Sequence, residues 1–389
     1  MTRRLIGELI TSDEAGFACS KTRLVERGLP HLRPFNIGDD ALDLSQVYQV
    51  SLDEAPAGKT ALLAGDILFN NTNSAELVGK SALIGDSMSA GFSNHMTRIR
   101  LDTRQVAPGY FAFWLRRLRG SGYFTRNATQ WVSQAAYKTS ELRKLTIDIP
   151  SLAEQCQVVD VLSRAEGIVR LRREAQRKAT ELIPAIFLEM FGDPSTNPRA
   201  WPTRAFGNVG ALDRGKSRNR PRDAPELYGG PYPFIQTGDI ANSGGRVTRY
   251  SSTYSELGLS QSKLWPRGTL CITIAANIAK TGVLEFDACF PDSVVGFLPG
   301  ETVRTEFVQA WLHFLQPTLE ANAPQAAQKN INLDILRRLP IPTPPVALQD
   351  RFEQYCRDVF ALRSQQGDSL VKAIDCFDAL LARSFYIGN

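Results

Sequence analysis

Two long stretches of the chain carry apolar residues at alternating steps of three and four, which is the spacing of one face of a helix. In the first stretch these residues are Val158, Val161, Ala165, Ile168, Ala175, Ala179, Ile183 and Ile186. In the second they are Phe352, Tyr355, Val359, Leu362, Ser369, Ala373, Phe377 and Leu380, of which only Ser369 is a poor core residue. The pattern predicts two amphipathic helices of about 35 residues, each roughly 50 Å long.

The two helices belong to an internal repeat. The segment ELRKLTIDIP at residues 141–150 returns 194 residues later as ILRRLPIPTP at residues 335–344. Fainter matches lie upstream at a separation of 203 residues, where Pro30, Leu32, Ile37, Gly65 and Gly79 match Pro233, Ile235, Ile240, Gly268 and Gly282. The chain is therefore interpreted as module 1 (residues 1–150), a central helix (151–196), module 2 (197–344) and a C-terminal helix (345–389).

Helices this long need a partner, and the simplest partner is the other copy. A pseudo-two-fold axis would pair them antiparallel as a coiled coil with one module near each end. Arg172 and Gln366 occupy equivalent polar positions midway; they either fix the register of the pair or point away from it. Pro184 is expected to kink or loosen the central helix near its end.

The modules combine short strands with a helix each, so the predicted fold class is α+β, with two mixed α/β modules. Strand-like runs occur at residues 66–69, 269–274 and 282–286. Helix-like runs occur at residues 110–118 and 306–315, and their aromatic and leucine side chains are expected in the cores.

Charge and cysteine content narrow the class of protein. The net charge of +5 is mild, but arginines cluster, most densely at Arg214, Arg218, Arg220 and Arg222, where they suit phosphate and guanine edges or a solvated face. No run approaches the roughly 18 apolar residues of a membrane span, so no membrane contact is expected and the cytoplasm is the expected compartment. The six cysteines form no CxxC pair, which argues against a zinc site or a disulfide framework.

One segment matches a nucleotide-binding motif. GALDRGKS at residues 210–217 fits the phosphate-binding pattern G-x-x-x-x-G-K-[ST]. A phosphate loop must open into a helix, yet RNRPRDAP follows, with two prolines and no apolar stripe. We therefore predict an exposed basic loop here, and a P-loop ATP-binding enzyme remains the alternative.

No catalytic constellation is visible elsewhere. His31, His95 and His313 are the only histidines, and none lies in a triad or metal-ligand motif. No cofactor-binding glycine motif or Asn/Asp-Pro-Pro-aromatic loop of an adenine methyltransferase is present. The sequence thus predicts a binding protein rather than an enzyme.

The segment EQCQVVDVLSRAE at residues 154–166, continuing to IFLEMFGD at 186–193, resembles the central conserved helix of type I restriction-modification specificity subunits. GKS at 215–217 followed by YPFIQTGDI at 232–240 resembles the opening of that family's target recognition domains. The resemblance implies that each module reads one half of a bipartite site in double-stranded DNA and that the helices set the spacer.

The same resemblance implies the partners and cofactors. The helices would dock two modification subunits, which bring S-adenosylmethionine and methylate adenine, and restriction subunits would bring ATP and Mg²⁺. This subunit would hold no cofactor or metal itself. A coiled-coil scaffold without DNA preference remains a further alternative.

Suitable base-reading groups are Arg or Lys for guanine and Asn or Gln for adenine. The candidates in module 1 are Asn70, Asn71, Asn73, Gln134 and Lys138. Those in module 2 are Arg214, Lys216, Arg218, Arg220, Gln236, Asn277, Gln325 and Lys329.

Overall fold

The computed structural model of the chain describes residues 2–20, 22, 24–38, 41–132, 134–218, 221–275, 278–322 and 331–385. These residues form two compact units. Unit 1 comprises residues 1–174 and 368–389, and unit 2 comprises residues 175–367. Each unit therefore holds one module together with part of both long helices.

Unit 1 is built from short strands and helices. Its strands are β1 (Thr2–Leu5), β2 (Ile10–Ala15), β3 (Leu24–Leu32), β4 (Tyr48–Val50), β5 (Ala61–Leu62), β6 (Ile67–Asn70), β7 (Thr72–Asn73), β8 (Ser81–Leu83), β9 (Met88–Ser89), β10 (Gly91–Phe92), β11 (Met96–Leu101), β12 (Thr129–Gln130), β13 (Ala135–Ala136) and β14 (Thr146–Ile149). Its helices are α1 (Ile6–Leu9), α2 (Pro108–Gly120), α3 (Tyr123–Asn127), α4 (Thr139–Leu142) and the first part of α5 (Leu152–Phe191).

The centre of unit 1 is an antiparallel sheet in the order β2-β11-β6-β8. Successive side chains of β6 alternate between two cores, as a strand buried on both faces requires. Ile67 and Phe69 belong to the same core as Phe111 of α2, whereas Leu68 belongs to the core that contains Leu32. Smaller sheets, β10-β3-β4 and β12-β13-β7, flank this centre.

Unit 2 repeats this plan. Its strands are β15 (Thr203–Ala205), β16 (Gly210–Arg214), β17 (Tyr228–Phe234), β18 (Arg246–Val247), β19 (Ser252–Tyr254), β20 (Leu270–Thr273), β21 (Thr281–Leu284), β22 (Val294–Pro299) and β23 (Pro340–Pro342). Its helices are α6 (Thr237–Ala241), α7 (Glu256–Ser260), α8 (Thr305–Asn322), α9 (Leu333–Arg338) and the first part of α10 (Val346–Ser384). The main sheet has the order β16-β22-β20-β21-β18.

The predicted long helices are present, with 40 residues in α5 and 39 in α10. In unit 1, Leu162 of α5 shares a core with Phe377 of α10. In unit 2, Phe187 of α5 shares a core with Phe352 of α10. The start of each helix thus packs beside the end of the other, which is the predicted antiparallel pairing.

The α5 helix continues past Pro184 and ends just before a glycine and a proline. Pro184 lies inside the helix and does not terminate it. The helix stops at Phe191, and Gly192 follows in the left-handed conformation with φ +80°. Glycine adopts this conformation without a Cβ penalty, and the following Pro194 cannot continue a helix.

Four residues of the predicted helix face are exposed, and at three of them the next residue is buried instead. Val161, Ile168, Tyr355 and Leu362 are between 37% and 51% exposed. The buried neighbours are instead Leu162, Val169 and Cys356. The sequence carries two adjacent apolar stripes on each helix, and the module packs against only one of them.

The repeat is preserved in backbone detail. The amide of Gly16 donates to Met96 O, and the amide of Gly215 donates to Val294 O. A Cβ at either glycine would lie within 2.2 Å of a carbonyl oxygen, so both positions require glycine for close packing. The start of module 1, which shows little sequence similarity to module 2, is therefore built in the same way.

One sequence match within the repeat is out of register. Leu68 pairs with Ala82 in unit 1, and Cys271 pairs with Gly282 in unit 2, so Gly282 corresponds to Ala82 rather than to Gly79. Gly79 corresponds to Ala279, because the two residues donate to Asn70 O and Thr273 O and both have positive φ. The turn before β21 is three residues shorter than the turn before β8.

Candidate nucleic-acid interface

An open cleft of about 810 Å³ lies on unit 1. The loop after β2, the end of β3, strands β4 and β7, and the loop between β10 and β11 form its walls. The polar groups that line it include Arg33, Asn73, Asn94, His95 and Gln134. Amide, imidazole and guanidinium groups of this kind donate to and accept from the edges of bases.

A stack of side chains holds the guanidinium of Arg33 in place. Its Nη2 donates to Cys19 O at 3.2 Å, and its Cζ lies 4.4 Å from the centroid of the Tyr48 ring. Tyr48 in turn meets Phe35 edge to face, with the ring centroids 5.8 Å apart. A guanidinium that is already oriented loses less conformational entropy when it binds a base or a phosphate.

His31 lies at the floor of the cleft and is 1% exposed. Its Nε2 lies 3.2 Å from Phe17 O, and its Nδ1 is buried without a partner among the described residues. Burial lowers the pKa of His31, and the neighbouring charge of Arg33 adds to this effect. The imidazole is consequently neutral at neutral pH.

The five candidates of module 1 have different environments. Asn73 and Gln134 line the cleft, and Lys138 is exposed just before α4. Asn71 is half-buried, and its Oδ1 accepts from Thr97 Oγ1 at 3.2 Å.

Asn70 does not fit the predicted base-reading role. It is fully buried, and its Nδ2 donates to Leu77 O at 3.2 Å. This hydrogen bond fixes the turn after β6, and no base can reach the side chain in this fold.

In module 2, two candidates occupy the place that corresponds to the cleft. Gln236 corresponds to Arg33, because the amide of each donates at 2.8 Å to the side chain three residues later, Asp239 and Asn36 respectively. Arg218 follows Gly215 by three residues, as Cys19 follows Gly16. Both Gln236 and Arg218 are exposed.

The other candidates of module 2 divide into two groups. Arg214 is half-exposed at the end of β16, and Lys216 is half-exposed with its amide donating to Phe290 O. Arg220, Asn277, Gln325 and Lys329 lie outside the described residues.

The motif-like segment 210–217 is a strand and its continuation, not a phosphate loop. Residues Gly210–Arg214 pair antiparallel with β22. Gly215 and Ser217 are buried, and no helix follows before residue 218. The ATP-binding alternative therefore fails at this segment, and the predicted exposed loop is wrong for residues 210–215 because the sheet takes up their backbone groups.

Sequence reasoning missed Arg33, Phe35, Tyr48, Asn94 and His95. A signal for Arg33 was available, since the 203-residue repeat maps Gln236 onto it between the matched pairs Leu32 with Ile235 and Ile37 with Ile240. The aromatic residues carried no such signal, because their role depends on how β4 folds beside β3.

A second surface lies on the long helices. Val161 and Ile168 are one heptad apart on α5, and Tyr355 and Leu362 are one heptad apart on α10. The second pair stands 194 residues after the first. Each pair forms a short apolar stripe that its own unit leaves exposed, and we call these the paired stripes.

Two further properties concern metals and membranes. Within the described ranges, no three His, Cys, Asp or Glu side chains group in a way that could hold a metal ion. No described helix is both long and apolar enough to cross a bilayer.

Comparison with known proteins finds a matching domain model and a similar full-length relative. Residues 198–354 match the type I restriction modification DNA specificity domain. A protein of Methanocaldococcus jannaschii, predicted to be the MjaX specificity subunit of a type I restriction enzyme, is 23% identical over 365 residues, covering 89% of this chain and 84% of its own.

Two solved structures share the fold over nearly the whole chain. One, described as showing complex assembly and conformational transition of the type I R-M system, has a TM-score of 0.61 at 19% identity and covers 98% of this chain and 97% of its own. The type I S subunit from M. genitalium has a TM-score of 0.55 at 13% identity and covers 100% and 96%. With the domain match over residues 198–354, these likenesses make the chain similar over nearly its whole length to type I restriction-modification specificity subunits.

Proposed function

We propose that each unit reads one half of a bipartite site in duplex DNA and that the chain itself catalyses no reaction. One observation carries this proposal: the two modules repeat one backbone plan but present different side chains at equivalent places. Arg33 stands where Gln236 stands, and Cys19 stands where Arg218 stands. Two readers of equal fold and unequal surface suit an asymmetric pair of half-sites.

The chemistry of these positions favours different bases. An arginine fork matches the O6 and N7 acceptors of guanine, and a glutamine amide matches the N6 donor and N7 acceptor of adenine. Each good bidentate contact discriminates by about 1–3 kcal/mol against a wrong base. We therefore expect guanine to be preferred near Arg33 and adenine near Gln236.

The long helices supply the spacer and the docking sites. A 40-residue helix is about 60 Å long, and we expect the length of the two long helices to set the number of unspecified bases between the half-sites. The paired stripes offer an exposed apolar surface at equivalent positions of the two helices, which suits two copies of one modification subunit. Those subunits would bring S-adenosylmethionine, and restriction subunits would bring ATP and Mg²⁺.

Genome-wide mapping of methylated adenine, in cells with and without this chain, tests the proposal. We expect one bipartite motif to disappear when the chain is removed. Exchange of residues 197–344 for those of another specificity subunit should change one half-site only. Loss of no motif, or a change in both halves, contradicts two independent readers.

The spacer role has its own test. Insertion of four residues, about one helical turn, into α5 between residues 170 and 175 should change the number of unspecified bases and keep both half-sites. A spacer of unchanged length contradicts the helix as a ruler. If the wild-type complex binds specific and random duplexes equally well in mobility-shift competition, the result instead favours the scaffold alternative.

A further inference from the structure

A β-hairpin of unit 1 ends in two large apolar side chains. Strands β12 and β13 pair through Thr129 with Ala136 and Gln130 with Ala135. The amide of Trp131 donates to Gln134 O at 2.7 Å and closes the turn. Trp131 is 59% exposed, and Val132 is fully exposed.

These residues are unusual for such a turn. Turns favour Gly, Asn, Asp, Pro and Ser, which tolerate tight backbone geometry and water. Trp131 and Val132 are bulky and apolar, so they favour neither tight turn geometry nor exposure to water. Single exposed apolar residues are common on soluble proteins, but two adjacent ones at a projecting tip indicate a surface that meets a partner.

The position of the hairpin identifies that partner as DNA. Strand β13 also pairs with β7, and this register sets Ala135 opposite Asn73. Asn73 and Gln134 both line the cleft, so the tip stands directly beside the proposed base-reading surface. Exposed Arg126 and Lys138 flank the hairpin in sequence and favour a polyanion over an apolar protein surface.

We propose that Trp131 and Val132 form a wedge that enters the duplex beside the half-site read by unit 1 and unstacks one base step. Apolar side chains inserted at a base step open the stack and kink the duplex. The inference rests on the proposed function, because it needs DNA in the cleft of unit 1.

We expect the wedge in module 1 only. Alignment of QAAYK at 134–138 with QAAQK at 325–329 sets Asn322 and Ala323 against Trp131 and Val132 in sequence, and residues 323–330 lie outside the described residues. Neither residue offers a large apolar surface. Unstacking should consequently occur beside one half-site and not beside the other.

Fluorescence of 2-aminopurine tests the wedge in the complex of the full chain with its modification subunit. The base analogue is placed at successive positions within and beside both half-sites, and its fluorescence rises where stacking is lost. We expect a rise beside the first half-site that Trp131→Ala abolishes, with affinity about ten-fold weaker. Trp131→Phe should keep both signals. The modification subunit extrudes its own target adenine, and that signal should persist in every variant as an internal reference.

Two further variants separate the wedge from other roles. Val132→Asp puts a carboxylate at a fully exposed site, where it cannot disturb packing, and should weaken DNA binding at least as much. Leu63→Ala, at an exposed apolar residue away from the cleft, is the matched control and should bind normally.

Three results would overturn the wedge. They are unchanged fluorescence and affinity in Trp131→Ala, loss of modification-subunit binding with DNA contacts intact, or equal unstacking beside both half-sites. If the complex with the wild-type chain binds all duplexes with the same affinity, the proposed function is wrong and not only the wedge.

Discussion

Gln155 and Gln349, separated by 194 residues, make the same three hydrogen bonds in the two units. Gln155 accepts from the amide of Ala107 at 2.8 Å and donates to the carbonyls of Gln105 and Pro150, both at 3.0 Å. Gln349 accepts from the amide of Arg304 at 2.9 Å and donates to the carbonyls of Thr302 and Pro344 at 3.0 and 2.8 Å. Both side chains are fully buried. Each glutamine ties the first turn of a long helix to the loop before the module's main helix.

Replacement of either glutamine by leucine should loosen this joint. Three buried backbone groups lose their partner, so we expect the free energy of unfolding to fall by about 3 kcal/mol. Urea unfolding followed by circular dichroism measures the change. Gln157→Leu, on the exposed side of the same helix, is the control. An equally small effect at residues 155 and 157 contradicts the role.

The paired stripes should each bind one modification subunit. Val161→Ser with Ile168→Ser should lower the stoichiometry from two modification subunits to one, because the stripe on α10 remains. Tyr355→Ser with Leu362→Ser should do the same, and all four changes should abolish binding. Native mass spectrometry counts the subunits. Arg164→Ser changes a neighbouring exposed residue and should leave two bound. Full binding in the fourfold variant contradicts the docking role.

His31 should make unit 1 sensitive to mild acid. Because burial lowers its pKa, the unfolded chain binds the proton at higher pH than the folded chain does. The stabilisation is therefore complete above pH 6.5, the ordinary value, and is lost as the pH falls through the lowered pKa. Hydrogen exchange of the peptides that contain β3 and β10 should report this loss.

A substitution tests the assignment to His31. Phe234 occupies the corresponding place in module 2 and stacks on Tyr254 with centroids 4.0 Å apart. His31→Phe should therefore fold and show less acid sensitivity in β3 and β10. His95→Gln leaves His31 in place and should keep the sensitivity. Equal acid sensitivity in wild type and His31→Phe rules this histidine out.

The motif-like segment should behave as structure rather than as a nucleotide site. In Gly215→Ala the new Cβ would lie 2.2 Å from Phe290 O, so we expect a loss of roughly 1–3 kcal/mol in stability. Lys216→Ala should leave stability unchanged and weaken binding to all duplexes alike, with a salt dependence lower by about one phosphate contact. ATP binding that disappears in Lys216→Ala contradicts this account.

The long-range plan could be predicted from the sequence because the repeat and the helix periodicity report on many residues at once. Leu142 and Leu336, for example, match in the sequence repeat, and both are buried at equivalent positions of their modules. The strand around Ile67 and Phe69 was also found, since a run buried on both faces is continuously apolar.

The parts that could not be predicted depend on contacts between distant segments. Val161 and Leu162 are equally apolar, and only the packing of the module decides which is buried. Asn70 comes directly after the predicted strand 66–69, but in the structure it is the last residue of β6 and the turn to Leu77 folds back over it. The cleft around Arg33 depends on strands of two or three residues, which leave little periodic signal.

Each unit borrows the end of a helix that begins in the other. Phe191, at the end of α5, packs between the rings of Phe307 and Phe352. Part of the aromatic core of unit 2 is therefore encoded before module 2 begins. A recombination event that exchanges residues 197–344 replaces the residue at position 307 but leaves Phe191 unchanged. The DNA-facing residues of an exchanged module can therefore vary without constraint. The residue at position 307, in contrast, must still pack against Phe191 of the recipient chain.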